Sequence, residues 1–322
     1  MEPETGELYR RFATREARGN SASYQELSER CAEDVELMGL VSALPAPKRQ
    51  PNLLFGAVRF LGGPVGDGYP AFRAWVLARW EDVRAAMLRR RTQTNEPGRC
   101  ASLLPLLAAL PQPLALIEVG ASAGLCLYPD RYRYRYDGRP EFGPGDGPAT
   151  LECATSGPVP FPARPPEVVW RAGVDLNPLD VRDEEDVRWL EALVWPEQTA
   201  RLERLRGAVR IARADPPELV RGDLNETVRE LVARAPEGAT PVVFHSAVLS
   251  YLPPEAREEF AATMRTLPGH WISNESPVIL PEVLRRLPRP APADLAVFAL
   301  ALDEQPVAIA APHGQWLDWF GA

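Results

Sequence analysis

From residue 114 onward, the chain repeats one pattern: an apolar run, a turn and then a helix-like segment. Continuous apolar runs are typical of strands that are buried on both faces of a parallel sheet. Strands that alternate with helices predict an open, mostly parallel α/β sheet. The five runs that carry this prediction are LALIEV at 114–119, EVVWRAGVD at 167–175, PELVRGDL at 217–224, TPVVFHSAVL at 240–249 and HWISNES at 270–276.

Two further segments complete the predicted sheet. LAVFALALDEQPVAIAAP, at 295–312, has two apolar runs around a turn-like LDEQP, so it predicts a terminal antiparallel hairpin. Residues 128–167 interrupt the alternation, and RYRYRYDG within them has period two and ends in an Asp-Gly turn signal. We therefore expect a β-hairpin insert there. The alternative is a platform that stacks nucleic-acid bases, which the net charge of −8 disfavours.

The first 112 residues contain no convincing strand and show helical spacing instead. Apolar residues recur every three or four positions, as at Leu27, Cys31 and Val35. We therefore predict a helical N-terminal domain over residues 1–112, acting as a lid, and a Rossmann-like domain over residues 113–322.

The composition disfavours several classes of function. Among the 36 basic residues only Lys48 is a lysine, so chemistry that needs a reactive or phosphate-binding lysine is not expected. The four cysteines and three histidines show no spacing typical of metal ligands, so no metal site is expected. The acidic balance makes nucleic acid an unexpected partner.

The sequence also predicts where the protein works. It contains no run of about 18 apolar residues, the length that a membrane span requires. The N-terminal stretch MEPETGELYRRF is acidic and lacks the apolar core of a secretion signal. We therefore expect a cytoplasmic protein with no membrane partner.

The stretch LALIEVGASAGLCL, at 114–127, fits two kinds of site. It contains G-x-S-x-G with Ser122 at its centre, which is the motif of a serine-hydrolase nucleophile elbow. A triad could be completed by Asp223 with His245, His270 or His313. A nucleophile elbow normally follows earlier strands of the sheet, and none is predicted upstream of this stretch.

The same stretch also fits a ligand-binding turn. Glycines after a first strand allow backbone amides to approach a ligand closely. Ligands of open α/β sheets bind beyond the carboxyl ends of the strands, and three of the predicted strands end in acids, Glu118, Asp175 and Asp223. Carboxylates at these positions suit ribose hydroxyls and amines better than a pyrophosphate.

These features together resemble a known enzyme family. E-x-G-x-S-x-G after the first strand, an acid after the second, Gly-Asp after the third and a closing hairpin resemble a class I S-adenosylmethionine-dependent methyltransferase over residues 114–322. More narrowly, EVGASAGLCLYPDRYRYRYDG, GVDLNPLDV, WPEQTARLERL and RTQTNEP resemble the bacterial domain-of-unknown-function family 2332. The second resemblance spans nearly the whole chain but implies no substrate.

The methyltransferase resemblance implies S-adenosylmethionine as the cofactor. The glycine turn would hold the methionine part of the cofactor. Asp175 would bond the ribose, with Asp180 as the alternative, and Asp223 would bond the adenine amine. Each of these acids could instead be a helix cap. The residues expected to contact the cofactor are therefore Glu118, Gly120, Ser122, Gly124, Asp175 and Asp223.

Methyl transfer from a sulfonium depends mainly on how the acceptor is positioned. A base helps when the acceptor carries a proton, and His245, at the end of the fourth strand, is the first candidate because an unperturbed histidine pKa is ~6.5. Glu275 and Tyr251 are further candidates for contact with the acceptor. In RTQTNEP, Thr94 and Asn95 would either cap a helix or lean over the cleft and bind the cofactor.

The acceptor itself is expected to be a small molecule, since an acidic protein is a poor match for nucleic acid. Two alternatives to a methyltransferase stay open at this point. One is the serine hydrolase that uses Ser122, and the other is a non-catalytic protein that binds S-adenosylmethionine.

Overall fold

The computed structural model of this chain describes residues 4–93, 95–144, 149–292 and 295–321. Its helices are α1 (Glu4–Phe12), α2 (Ala22–Glu33), α3 (Val35–Ser42), α4 (Pro51–Phe60), α5 (Tyr69–Ala78), α6 (Trp80–Arg89), α7 (Arg99–Ala109), α8 (Glu184–Leu193), α9 (Thr199–Ala214), α10 (Leu224–Ala233), α11 (Pro254–Met264) and α12 (Pro281–Arg286). Its strands are β1 (Leu114–Val119), β2 (Arg133–Tyr136), β3 (Thr150–Ser156), β4 (Val168–Asp175), β5 (Glu218–Arg221), β6 (Thr240–Ser246), β7 (His270–Glu275), β8 (Phe298–Leu302), β9 (Gln305–Ala310) and β10 (Trp316–Trp319).

The chain forms two compact units. The first unit consists of residues 1–94 and 183–203, and the second consists of residues 95–182 and 204–322. This division differs from the predicted boundary at residue 112, because α7 belongs to the second unit. It also differs because α8, which follows a strand of the sheet in sequence, belongs to the first unit.

The first unit is held together by an aromatic core. The Phe55 ring packs against Tyr24 with ring centroids 4.8 Å apart, and Trp195 lies 5.7 Å from Phe12. Trp189 of α8 is fully buried against Phe60 of α4, at a centroid distance of 5.6 Å. The residues from 183 to 203 therefore provide part of this core and do not merely cover it.

The second unit contains one ten-stranded sheet, in the order β2-β3-β10-β9-β8-β7-β6-β1-β4-β5. The strands β7, β6, β1, β4 and β5 are parallel to one another. Among these five strands, β4 and β5 follow β1 on one side, and the chain then returns to β6 on the other side of β1. The strand order therefore reverses at β1, and the crevice beyond its carboxyl end is the expected ligand position in such a sheet.

The predicted α/β class with a mostly parallel sheet is confirmed, and so is the antiparallel pairing of β8 with β9. Buried side chains of α10 and α11, such as Val228 and Phe260, pack with Val119 and Val174 of the central strands. This packing explains why the central strands are apolar along their length. No described helix has the length and apolar character that a membrane crossing demands.

The hairpin predicted within residues 128–167 is formed in part, because Tyr134 and Phe142 exchange two antiparallel backbone hydrogen bonds, of 2.7 and 3.0 Å, across the Asp-Gly turn. The alternating Tyr/Arg segment does form a strand, but β2 pairs with β3 in parallel, and both strands extend the edge of the main sheet. Period two reveals a strand with one buried face, but it contains no information on the partner or the direction of pairing. The tyrosines of the segment, Tyr132, Tyr134 and Tyr136, are buried, so they offer no platform for stacking bases.

Candidate functional site

The glycine turn, residues 120–124, follows β1 at the point where the strand order reverses. Gly120 and Gly124 have φ values of +70° and +69°, which favour glycine. Ser122 between them has a φ of +51°, and Ala247 after β6 has a φ of +59°. Left-handed backbone at residues other than glycine costs free energy and concentrates at functional sites. Two such residues therefore flank the switch point of the sheet.

Both glycines are packed against side chains of the protein itself. A Cβ on Gly120 would lie 2.4 Å from a methyl carbon of Val248, and one on Gly124 would lie 2.8 Å from the Pro217 ring. The need for glycine at both positions is therefore explained by close packing within the chain. In this structure the turn does not present an open cradle to a ligand.

The backbone amides of the glycine turn are also largely bonded within the protein. The amides of Gly120 and Ala121 donate to the Val174 carbonyl at 2.8 and 3.1 Å. The Ser122 amide donates to Oδ2 of Asp175 at 2.8 Å. An anionic ligand that is to use these amides must displace existing hydrogen bonds.

Asp175 lies where the resemblance places the ribose-binding acid. Its Oδ2 accepts from the glycine turn and its Oδ1 accepts from the Asn177 amide at 2.7 Å. Asp180, the other candidate, is exposed and pairs with Arg182. Asp223 is an exposed N-cap of α10, accepting from the Asn225 amide at 2.8 Å.

Glu118 is buried at the end of β1, with 5% of its surface exposed. Burial, followed by the neighbouring Cys126, raises the pKa of the Glu118 carboxyl well above its usual range. Asp175 raises it further, and the Arg99 guanidinium opposes the rise. Oε2 of Glu118 is buried without a hydrogen-bond partner among the described residues. The fold thus disfavours the charged form of this carboxyl group next to the glycine turn.

Asn95 is the residue of the RTQTNEP segment that reaches the turn. Its Oδ1 accepts from the Leu125 amide at 2.9 Å, and its Nδ2 donates to the Ala121 carbonyl at 3.3 Å. The carboxamide therefore braces both ends of the turn. Thr94, the other residue proposed from this segment, lies outside the described residues.

His245 and Glu275 form a buried network at the ends of β6 and β7. Trp271 donates its indole N–H to Nε2 of His245 at 2.9 Å, so Nδ1 carries the imidazole proton and donates to Oε1 of Glu275 at 2.8 Å. His245 has no exposed surface. Both ring nitrogens are thus occupied, and His245 is not presented to an acceptor in this structure.

Glu275 also fixes the loop that follows β6. Its Oε1 accepts from the amides of Val248 and Leu249, at 2.8 and 3.1 Å. Two residues later, Tyr251 has 77% of its surface exposed. Glu275 is therefore a buried anchor and Tyr251 an exposed side chain of the same loop, which lies against the glycine turn through Val248.

The geometry does not assemble a triad of Ser122 with Asp223 and either His245 or His270. Oγ of Ser122 is buried and has no hydrogen-bond partner in the described parts of the chain. His245 is occupied on both nitrogens, and Asp223 is used as a helix cap. His270 begins β7, and therefore lies at the opposite end of the parallel strands from Ser122.

One buried residue of the site was not singled out from the sequence. Arg99, at the start of α7, donates to the Ser246 carbonyl at 2.9 Å and to the Pro312 carbonyl at 2.9 Å. It is also the cation that lowers the pKa of Glu118. A charged residue at the end of the polar segment RTQTNEPGR was visible, but its burial depends on loops that are distant in sequence.

The sheet defines a mostly parallel α/β protein in which two acids, Glu118 and Asp175, lie beside the turn at the switch point. The family model described as "Uncharacterized protein conserved in bacteria (DUF2332)" matches residues 6–319, so the chain belongs to that family. The resemblance to this family is thereby confirmed. No curated protein and no solved structure matches the chain.

Proposed function

We propose that this chain binds S-adenosylmethionine beyond the carboxyl ends of β1, β4 and β6 and transfers the methyl group to a small acceptor. The observation that carries the proposal is the Asp175 carboxylate, which ends β4 at the switch point and bonds the Ser122 amide of the glycine turn. Carboxylate oxygens are hydrogen-bond acceptors, and ribose hydroxyls are suitable donors to them.

Glu118 supports the same proposal. Its carboxyl group lies close enough to Asp175 for the second acid to raise its pKa, so both acids border one turn. A protonated carboxyl can both donate and accept a hydrogen bond. It therefore suits a ligand that offers hydroxyl and amino groups of mixed polarity.

The internal hydrogen bonds and the packing of the glycine turn determine how the cofactor would be recognised. Because the turn amides are bonded internally, the proposal assigns recognition mainly to the carboxylates. Val248 packs over Gly120, so the side chain of Val248 must move if the cofactor approaches the turn from that side. Val248 is only partly buried and follows the strained residue Ala247, so the loop is the expected moving part.

When bound, S-adenosylmethionine would supply an activated methyl group. The contribution of this chain would be to orient the acceptor, since positioning supplies most of the acceleration in such a displacement. Glu275 holds the loop after β6, and Tyr251 on that loop is exposed where it can contact an acceptor. The proposal gives His245 a positioning role, because its ring nitrogens are bonded to Trp271 and Glu275.

Isothermal titration calorimetry with S-adenosylmethionine and with its demethylated product tests the proposal. We expect micromolar binding by the natural chain and loss of more than about tenfold in affinity in Asp175→Ala, because a charge-assisted contact is removed. Asp180→Ala is the matched control: it removes an exposed acid five positions away that pairs with Arg182, and it should bind normally. Absence of heat with the natural chain would end the proposal.

The two alternatives give different results in the same preparations. A serine hydrolase predicts labelling of Ser122 by a fluorophosphonate probe without any cofactor affinity. A non-catalytic binding protein predicts calorimetric heat but no demethylated product with any small acceptor. Binding that is equally strong in Asp175→Ala would show that the ligand does not use this edge.

A further inference from the structure

A second concave region of the sheet unit lies where β2 and β3 meet the loops before α7 and β10. Its volume is about 360 Å³, which is at the lower end of the range of small-molecule pockets. We call it the edge groove, and it is lined by Gly98, Arg135, Asp137, Glu152, Cys153, Ala154, Arg204, His313 and Gln315. None of the residues proposed to contact the cofactor lines it.

Two glycines allow the loops that form the floor of the edge groove to pack closely together. A Cβ on Gly98 would lie 2.6 Å from the His313 carbonyl oxygen, and one on Gly314 would lie 2.1 Å from the Gly98 carbonyl oxygen. Two loops that are distant in sequence therefore meet backbone to backbone. This contact gives the groove a floor whose shape depends little on flexible side chains.

Arg204, on α9, is held in position by a buried carboxylate. Its Nε lies 3.3 Å from Oε1 of Glu96, whose side chain is fully buried, and the Gly98 amide donates to the same oxygen at 2.9 Å. The terminal nitrogens of Arg204 have no hydrogen-bond partner in the described parts of the chain, although three quarters of the side chain is buried. An arginine fixed at Nε with both terminal nitrogens available can bind a carboxylate in a bidentate manner.

The opposite charge in the edge groove is provided by Asp137. One oxygen of Asp137 accepts from the Thr155 amide at 3.3 Å, and the carboxylate has further acceptor sites. The second arginine of the groove, Arg135, already pairs with Glu152 and with Glu141. The groove therefore offers the two terminal nitrogens of Arg204 and the carboxylate of Asp137 to a ligand.

We propose that the edge groove binds a small zwitterion, namely a free α-amino acid, with its carboxylate on Arg204 and its ammonium group on Asp137. A simple anion would leave Asp137 without an ionic partner, and a simple cation would leave the terminal nitrogens of Arg204 without an acceptor. A ligand with both charges satisfies both groups, and each charge-assisted hydrogen bond is about twice as strong as a neutral one. This site is separate from the cofactor edge, and the proposal does not depend on the proposed function.

The test uses the full chain without any cofactor. The common amino acids are screened one by one by thermal shift, and those that stabilise the chain are titrated by calorimetry. For each one that binds, its carboxamide and its N-acetyl derivative are titrated as well. We expect each derivative, and the variant Arg204→Gln, to lose more than about tenfold in affinity, because one charge of the pair is then missing.

Arg206→Gln is the matched control variant, since it removes the same charge from an exposed position on α9 that does not line the groove. It should bind like the natural chain. The derivatives are tested on the natural chain, so the result stands even if Arg204→Gln fails to fold. The proposal is overturned if no amino acid binds, if the carboxamide binds as well as the acid, or if a folded Arg204→Gln binds normally.

Discussion

At the scale of single residues, the buried carboxyl of Glu118 connects the site to the stability of the fold. Its pKa is raised by burial, by Cys126 and by Asp175, with Arg99 acting against the rise. The folded chain therefore holds a proton on this group at pH values where the unfolded chain, with a glutamate pKa of ~4.3, has already released it. Stability from this group is fully present below the unfolded pKa and is lost as the pH rises through the folded pKa.

Glu118→Gln removes this titration while keeping the size of the side chain. We expect the variant to unfold at a higher temperature than the natural chain at pH 8 and to lose that advantage towards pH 4. Thermal unfolding followed by circular dichroism across this pH range measures the difference. Glu226→Gln, at an exposed position of α10, controls for the loss of a surface charge, and equal pH profiles for both variants would contradict the argument.

The residue scale also shows what the sequence could predict of the site. The strand-ending acids and the glycine turn are visible in the sequence, because strand ends and turns have local signals. The reason for the glycines is not local. Gly120 packs against Val248, which is distant from it in sequence. No pattern of residue spacing predicts that contact. The hydrogen bond from the Trp271 indole to Nε2 of His245 could not be predicted from the sequence for the same reason.

At the scale of elements, Glu275 joins β7 to the end of β6 and to the loop beyond it. One oxygen of Glu275 accepts from the His245 ring and from two backbone amides. Glu275→Ala would leave the buried His245 ring, the buried Leu249 amide and the partly buried Val248 amide without this acceptor. An unsatisfied buried group costs about 1–3 kcal/mol, so we expect a loss of roughly 3 kcal/mol or more in the free energy of unfolding, measured by urea denaturation.

The control for this variant is Glu258→Ala, which removes an exposed carboxylate that pairs with Arg265 on the surface. Surface ion pairs contribute about 0–1 kcal/mol, so the control should stay close to the natural chain. Glu275→Gln keeps one acceptor oxygen and should fall between the two. A Glu275→Ala variant as stable as the control would show that the network does not hold the strand ends together.

The elements themselves were predictable to different degrees. The five parallel strands and the β8–β9 hairpin have long apolar runs and clear turns, so their positions follow from local pattern. The parallel pairing of β2 with β3 does not follow from local pattern, because it depends on contacts that bring β10 beside β3. The strand β10, WLDW, is only four residues long, which is too short for its alternation to stand out.

At the scale of the whole molecule, the chain passes between its two units and returns. Residues 183–203 follow β4 in sequence, and the alternation of strands and helices assigns them to the sheet. They instead complete the helical unit through Trp189 and Trp195. Helical periodicity reveals that α8 is amphipathic, but it does not reveal which apolar surface the helix covers.

This arrangement predicts how fragments of the helical unit behave. Residues 1–94 alone lack the two tryptophans that pack against Phe60 and Phe12. Loss of one buried tryptophan costs about 3–5 kcal/mol, and whole domains are stable by only about 5–15 kcal/mol. We therefore expect residues 1–94 to show no cooperative thermal unfolding, whereas the same residues joined to 183–203 by a Gly/Ser linker unfold cooperatively.

The matched control is the joined fragment with both Trp189→Ala and Trp195→Ala, which should behave like residues 1–94. Equal cooperative unfolding by all three fragments would mean that residues 183–203 only cover a core that is complete without them.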